Sequence, residues 1–400
     1  MSQNKPEPKD PWGIKGAIYL MRLITRVASI GQNPLGVIII GESGKGKSFL
    51  ITRFSPVEVG GVKKSLVEVV AEATRWGIQD FLISQRERID GGYICFTDLT
   101  ALSKRQDFAN ITSWFLQALE EGLTAIKKKN EVYNFEPPLH LGVIAAITTQ
   151  EWNKHRGHWL QDGFFQRLLQ VRIDMARSDR IRVRHEIRRT DIEYKRYEIR
   201  RIPVASIVVP NISDEDGIIS ALTGCMADFV LKARKKESGV EEEVFRIDKT
   251  LSRLAMAAAS FYTPDRNFQV EPGQPIFSAW LNHLKNDIIR VDMNDLYMVA
   301  QTLPYMVLKS PHDVHWYIMR EFKPNRHTIS HKEIEAAVTS KGYTKEEVYL
   351  AVSELINAGL LVENGGYTHL IEALRSKAEE DRREYFELSA FERENEDEQG

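Results

Sequence analysis

Cysteine is nearly missing from this chain. Cys95 and Cys225 are the only two in 400 residues, and they lie far apart. That excludes a disulfide framework and fits a reducing compartment. Cys95 sits inside an apolar run, where a thiol serves as core rather than as nucleophile. Histidine does not fill the gap: His155 and His158 stand on a polar stretch without cysteine partners, so no zinc cluster is indicated. No Ser-His-Asp or Cys-His spacing is legible. No apolar run approaches the roughly 18 residues of a membrane span. Met1–Trp12 is polar and proline-bearing, without the apolar centre of a signal peptide. A soluble cytoplasmic protein without membrane contact is the expectation. No internal repeat is visible, and the formal charge of -2 argues neither for nor against nucleic acid. With 42% hydrophobic residues the chain can pack a sizeable core and divide into two or three domains.

One strong motif is present. Val37–Leu50 reads VIIIGESGKGKSFL. Val37 to Ile40 is a β-branched run typical of a buried strand. Gly41-Glu42-Ser43-Gly44-Lys45-Gly46-Lys47-Ser48 completes G-x-x-x-x-G-K-[ST], and Phe49, Leu50 and Ile51 open a helix. The glycines let the backbone lie against phosphate oxygens, and successive N–H groups at a helix N-terminus form a concave anion site. Lys47, expected as a solvent-facing loop charge, can reach β- and γ-phosphates, and the Ser48 hydroxyl can ligate Mg²⁺. ATP with Mg²⁺ is the expected ligand pair, on Gly41–Phe49.

The rest alternates strands and helices. Ile14–Ile30 is an amphipathic helix expected beside the adenine, with Arg22 and Arg26 outward. The helix after Ser48 is short, stopped by Pro56, and Ser65–Ile89 is helical or mixed. Tyr93–Asp98 is an apolar strand ending in a carboxylate, as in the acidic strand of nucleotide hydrolases, with Asp98 facing Mg²⁺. Ala109–Lys129 reads as a helix, Leu139–Thr149 as a buried strand, Asp162–Gln170 as a helix and Val171–Asp174 as a strand. The alternation implies a parallel α/β sheet.

The phosphate loop, the acidic strand, the strand ending in Thr148-Thr149 and the stretch Gly163-Phe-Phe-Gln-Arg167-Leu168 together resemble the core of the AAA+ ATPases. The resemblance covers roughly residues 14–310. It implies that Thr148 or Thr149 positions the attacking water and that Arg167 acts as a finger on a neighbouring subunit's γ-phosphate. A homo-oligomer, ring or filament, follows from that. The family's second acidic residue is missing, because Leu99 follows Asp98. Asp98 then does double duty, or a carboxylate from elsewhere serves, or hydrolysis is slow. The resemblance also places Arg253 where a lid arginine reaches the γ-phosphate; a solvent-facing helix arginine would look the same.

Arg177–Arg201 is the compositional outlier, with period-two alternation on both sides of Arg188-Arg189-Thr-Asp191. A β-hairpin inserted at about 177–201 is expected. Its arginines, among them Arg188, Arg189, Arg200 and Arg201, either contact nucleic acid or form cross-strand ion pairs with the six acids from Asp174 onward. Helices at Ile212–Lys236, Lys249–Tyr262 and Met293–Val307 would form the lid. His312–Phe322, Ser330–Ser340 and Thr344–Ala358, followed by strands around Gly365-Gly366, resemble a winged helix. Lys345, Tyr349, Ser353 and Asn357 form the outward face of its third helix. That face either reads DNA or docks a protein, since Glu346 and Glu347 would repel phosphate. Leu374–Leu388 reads as a charged helix, and Glu392–Gly400 as an acidic disordered end.

The expected architecture is therefore α/β: a tail (1–13), a P-loop parallel-sheet AAA+ core (14–202), a helical lid (203–310), a winged helix (311–372) and a charged terminus (373–400). The expected activity is that of an oligomeric ATPase acting on DNA as motor, loader or switch. The alternative is a protein-remodelling or signalling ATPase, or a nucleotide-gated scaffold.

Overall fold

The computed structural model describes residues 8–56, 58–59, 62–63, 65–70, 74–99, 108–128, 131–161, 167–188, 192–238, 244–262 and 274–399. The chain divides into two compact units. The first comprises Met1–Ile202 and Leu308–Asp313, the second Pro203–Val307 and Val314–Gly400.

The first unit runs α1 (Lys15–Ser29), β1 (Gly36–Gly41), α2 (Lys47–Thr52), β2 (Glu58–Val59), β3 (Val62–Lys63), β4 (Val67–Val70), α3 (Arg75–Ser84), α4 (Arg86–Ile89), β5 (Gly92–Phe96), α5 (Phe108–Glu120), β6 (Leu123–Lys128), β7 (Glu131–Leu139), β8 (Leu141–Thr148), α6 (Thr149–Gln161), β9 (Leu168–Arg172) and α7 (Arg177–Ile187). Its centre is a five-stranded sheet in the order β4-β5-β8-β1-β9, with every pairing parallel. All six residues of β1 are buried, which is why the strand carries no alternation. The Tyr93 hydroxyl on β5 donates to Ile24 O at 2.7 Å and accepts from Leu35 N at 3.1 Å, fixing α1 to the sheet. Nothing local caps α1. The carboxylate of Asp313, fully buried, accepts from the Lys15 and Gly16 amides at 2.9 Å each.

Four expectations are corrected here. The helix expected over Ala109–Lys129 stops at Glu120. Gly122 turns the chain at φ 87, and β6 follows. A register shift between Leu123 and Ala125 spaces the buried Leu123 and Ile126 three apart, which imitates helical period. In the stretch expected as helix over Asp162–Gln170, residues 162–166 lie outside the described ones and Leu168 onward is β9. Arg177–Ile187 is helix α7, so there is no hairpin. Its inward face carries Asp179 and Glu186 while Ile181 is 54% exposed, so the apolar residues did not mark the buried side. Residues 192–202 are extended but bond to scattered partners: Lys9 N to Glu193 O, Tyr197 N to Arg53 O, and Leu66 N to Ile199 O. Finally, the acidic terminus expected to be disordered is helical.

That helix belongs to the second unit, which contains β10 (Ser206–Val208), α8 (Ile218–Ser238), α9 (Val244–Ala259), α10 (Ile276–Asn286), β11 (Ile288–Arg290), α11 (Met293–Ala300), α12 (Pro304–Val307), α13 (Asp313–Arg320), β12 (Thr328–Ile329), α14 (His331–Thr339), α15 (Lys345–Asn357), β13 (Leu361–Glu363), β14 (Tyr367–His369) and α16 (Leu370–Gln399). Strands β12-β14-β13 form an antiparallel sheet. Ser330 with Glu333 and Thr344 with Glu347 close capping boxes that start α14 and α15. Helix α16 continues through residues rich in Glu and Arg, good helix formers, with Arg375 bridging Glu372 at 3.3 Å and Glu379 at 3.5 Å.

His369 gives this unit an acid-sensitive centre. It is fully buried, stacks on Tyr297 at 4.6 Å, and its Nδ1 accepts from Ile371 N at 3.2 Å. Burial lowers its pKa from 6.5 to about 3. Between those values the unfolded chain binds the extra proton, so stability falls as pH falls, by at most about 1.4 kcal/mol per pH unit. Chemical denaturation of His369→Phe protein at pH 7, 6 and 5 is expected to show a shallower pH dependence than wild type. An unchanged slope would remove His369 as its source.

Candidate functional site

The parallel sheet brings three strand ends to one edge. In register, Gly41 of β1 lies opposite Thr148 of β8, and Phe96 of β5 opposite Ala145. Asp98 lies two residues beyond Phe96, and the next amide, Leu99 N, donates to Ala146 O at 2.8 Å, which holds this turn against the end of β8. A cavity of about 610 Å³ opens there. Ser43, Gly44, Gly46, Lys47 and Ser48 line it with Thr97, Asp98 and Thr148.

The loop geometry is that of an anion cradle. Gly46, at φ 85, is the N-cap of α2, a left-handed conformation that costs an L residue about 1–2 kcal/mol. At Gly41 a Cβ would lie 2.6 Å from Ile173 O, so only glycine fits between the two strand ends. Lys45 pairs with Asp174, tying the loop to the chain after β9. Lys47 is 9% exposed, not solvent-facing, because α2 folds it back under the loop. Its Nζ donates to Gly41 O and Glu42 O at 2.7 Å each. Burial lowers its pKa, with Glu42 and Asp98 opposing the shift. A half-desolvated ammonium beneath a glycine loop is the environment in which a phosphate gains most. Ser48 Oγ donates to Thr97 O at 3.2 Å, which places the hydroxyl beside Asp98. A serine hydroxyl and a carboxylate at one corner are the hard oxygen donors Mg²⁺ requires. The backbone N–H of Glu151 donates to Thr148 Oγ1 at 3.2 Å. Thr149 begins α6. The chain has a P-loop α/β core.

No protein-family model matches the chain, and no curated protein is significantly similar to it. Among solved structures it is similar to a Cytophaga hutchinsonii protein provisionally named an ATPase. That likeness has 10% identity, covers 86% of this chain and 90% of that one, and has a TM-score of 0.37. It is also similar to the Aeropyrum pernix ORC1 protein, solved in complex with DNA, at 13% identity, 92% and 94% coverage and a TM-score of 0.31.

Part of the cavity wall was not foreseen. Besides Ile14 and Phe49 the lining includes Pro11, Trp12, Met175, Val183 and Tyr194, with Glu186 among them. Tyr194 meets Phe49 edge-on at 5.3 Å and donates to Glu186 at 3.0 Å. Burial, then that bond, pushes its hydroxyl up to about 12, so it remains a donor. Trp12 lies between Lys15 at 3.6 Å and Arg182 at 4.5 Å. These groups come together through long-range contacts such as Lys9 with Glu186, which no local pattern announces.

The remaining candidates fall elsewhere. Arg167 immediately precedes β9 and pairs with Glu120. Arg253 is half-buried on α9 of the second unit. Arg188 is exposed just past α7, and Arg189 lies outside the described residues. Arg200 pairs with Glu198 at 2.6 Å, and Arg201 donates to Asp90 O at 2.5 Å, so both have intrachain partners. On α15, Lys345 pairs with Glu335 at 2.6 Å and Ser353 donates to Tyr349 O at 3.0 Å. Tyr349 is 63% exposed and Asn357 is exposed. No described helix is long and apolar enough to cross a membrane.

Proposed function

We propose that this protein is an AAA+-type ATPase that binds ATP with Mg²⁺, hydrolyses it as a ring or filament, and acts on DNA. The observation that carries the ATP reading is that one cavity is lined by Lys47, Ser48, Asp98 and Thr148 together with apolar and aromatic groups such as Trp12, Phe49 and Tyr194. Phosphates suit the first set and a flat base the second. Held by Ser48 and Asp98, Mg²⁺ would neutralise charge on the phosphate oxygens. Lys47 adds positive charge beneath them, and the loop amides orient them. Thr148 positions the attacking water. Arg167 reaches a neighbouring subunit's site, and Arg253 acts from the helical lid within 203–310.

Of the two carboxylates lining the cavity, Glu186 is engaged by Lys9 and Tyr194. Leu99, where the AAA+ resemblance implies an acid, is 2% exposed and its amide donates to Ala146 O at 2.8 Å. With Leu99 in place of that acid, turnover should be slow, on the order of 1 per second or less. Asp98→Asn is the test. It should bind fluorescent ATP without Mg²⁺ as wild type does, yet lose the gain in affinity that Mg²⁺ gives and most turnover. If Mg²⁺ strengthens binding equally in both proteins, the metal assignment is wrong.

One observation favours a protein partner as well. Tyr349 and Leu350 on the winged helix (311–372) are 63% and 61% exposed beside Glu346. An apolar, acidic-edged face suits a protein better than a phosphate backbone.

A further inference from the structure

The second unit carries a cluster of cations that no α15 residue joins. A cavity of about 550 Å³ is lined by Tyr317, Arg320, Glu321, Lys323, Asn325, Arg326 and Lys341. Four cations face one carboxylate there, in a chain whose formal charge is -2. The carboxylate is already shared, since Glu321 lies 3.9 Å from Arg326.

The cluster is built rather than incidental. Lys323 and Arg326 exchange two backbone hydrogen bonds, of 3.2 and 2.8 Å, around Pro324-Asn325. Residues paired in this way project to the same face, and like charges directly opposite are destabilising. An anion between them would relieve that repulsion. Glu333 holds the Arg326 guanidinium at 3.0 Å, and Arg320 stacks on Trp316 at 5.2 Å, so both forks are oriented. Tyr317, 7% exposed and packed on Tyr343 at 5.8 Å, closes the floor. Lys323 and Lys341 have no ion-pair partner among the described residues. Glu333 and Glu321 already face the two terminal nitrogens of Arg326, so Arg320, Lys323 and Lys341 carry the surplus charge; the guanidinium offers phosphate oxygens a bidentate contact and the ammoniums point charges.

We infer that this cavity, formed by the end of α13, the Pro324-Asn325 turn and Lys341 after α14, binds adjacent phosphates of a nucleic-acid backbone. The identity of the anion rests on the DNA-acting reading; the site itself does not depend on ATP hydrolysis. Because the contacts are to phosphate, binding here is indifferent to sequence.

The test uses the full chain, with fluorescent 30-mer duplex and single-stranded DNA titrated over a range of salt concentrations. Lys323→Ala/Lys341→Ala should bind both on the order of tenfold more weakly and flatten the plot of log affinity against log salt. The change should be roughly two units for duplex and somewhat less for single strands. Lys323→Arg/Lys341→Arg should restore wild-type binding, which separates charge from folding, and binding of fluorescent ATP should be unchanged throughout. If wild type binds DNA and the double alanine variant binds it equally well with the same slope, the site is wrong and the DNA reading survives. If wild type binds no DNA at low salt with ATP present, both fall. Displacement of the DNA by micromolar inorganic phosphate, equal in wild type and Lys47→Ala protein, would assign the cavity to a small anion and overturn the backbone assignment.

Discussion

Lys47→Ala protein is expected to fold normally and to lose ATP turnover by at least about 100-fold. The ammonium is held beneath the loop by Gly41 O and Glu42 O, and burial already disfavours its charge. Removing it leaves Glu42 O on a residue exposed to water but Gly41 O buried at the end of β1, a cost on the order of 1 kcal/mol. The melting temperature should change little. Turnover depends on positive charge placed where negative charge grows in the transition state, and deleting one such group typically costs 10² to 10³ in rate, or about 3–4 kcal/mol. A coupled ATPase assay beside a thermal melt checks both halves. Wild-type turnover from folded Lys47→Ala protein would remove the site from this cavity.

The second large effect concerns Arg167. Arg167→Ala should retain ATP binding yet lose on the order of 10³ in turnover, the usual worth of an arginine finger. Arg167 pairs with Glu120 in its own chain, so a local structural role must be separated from one in a neighbouring subunit. Glu120→Gln breaks the pair but leaves the guanidinium, so it should keep turnover if the finger reading is right. Mixing Arg167→Ala with Lys47→Ala protein is the sharper measurement, because some mixed assemblies join an intact loop to an intact finger. Recovery of activity is expected; none at all, with mixed assemblies confirmed, would place Arg167 in a local role.

The glycine loop and its flanking strand and helix were legible because their residues are contiguous. Loop, flanking strand and helix occupy Val37–Ile51, and the sheet needed only to bring Asp98 and Thr148 alongside. Helix α1 and the helices that start after Ser330 and Thr344 were legible for the same reason: their signals lie within the helices themselves and need no distant partner. The apolar lining was not. Tyr194 reaches the cavity from a segment whose hydrogen-bond partners include Lys9 and Arg53, 144 to 186 positions away. Helix α7 hid because its buried face is charged. Strand β6 hid because a bulge gave it another element's period. Each failure is a case of tertiary partners overriding local preference.

The cap on α1 has a consequence in time. Asp313 supplies acceptors to the first turn of a helix that begins at Lys15, yet the chain must be made through Val307 before residues 308–313 exist. At about 5–20 residues per second, the ribosome spends on the order of 5–20 s between completing Ile202 and delivering that carboxylate. During that interval the first unit has its sheet and phosphate loop but an open helix start. The first unit is thus completed only after residues 203–307 of the second have been made, and a nascent chain arrested before residue 308 would carry a looser first unit than the finished protein.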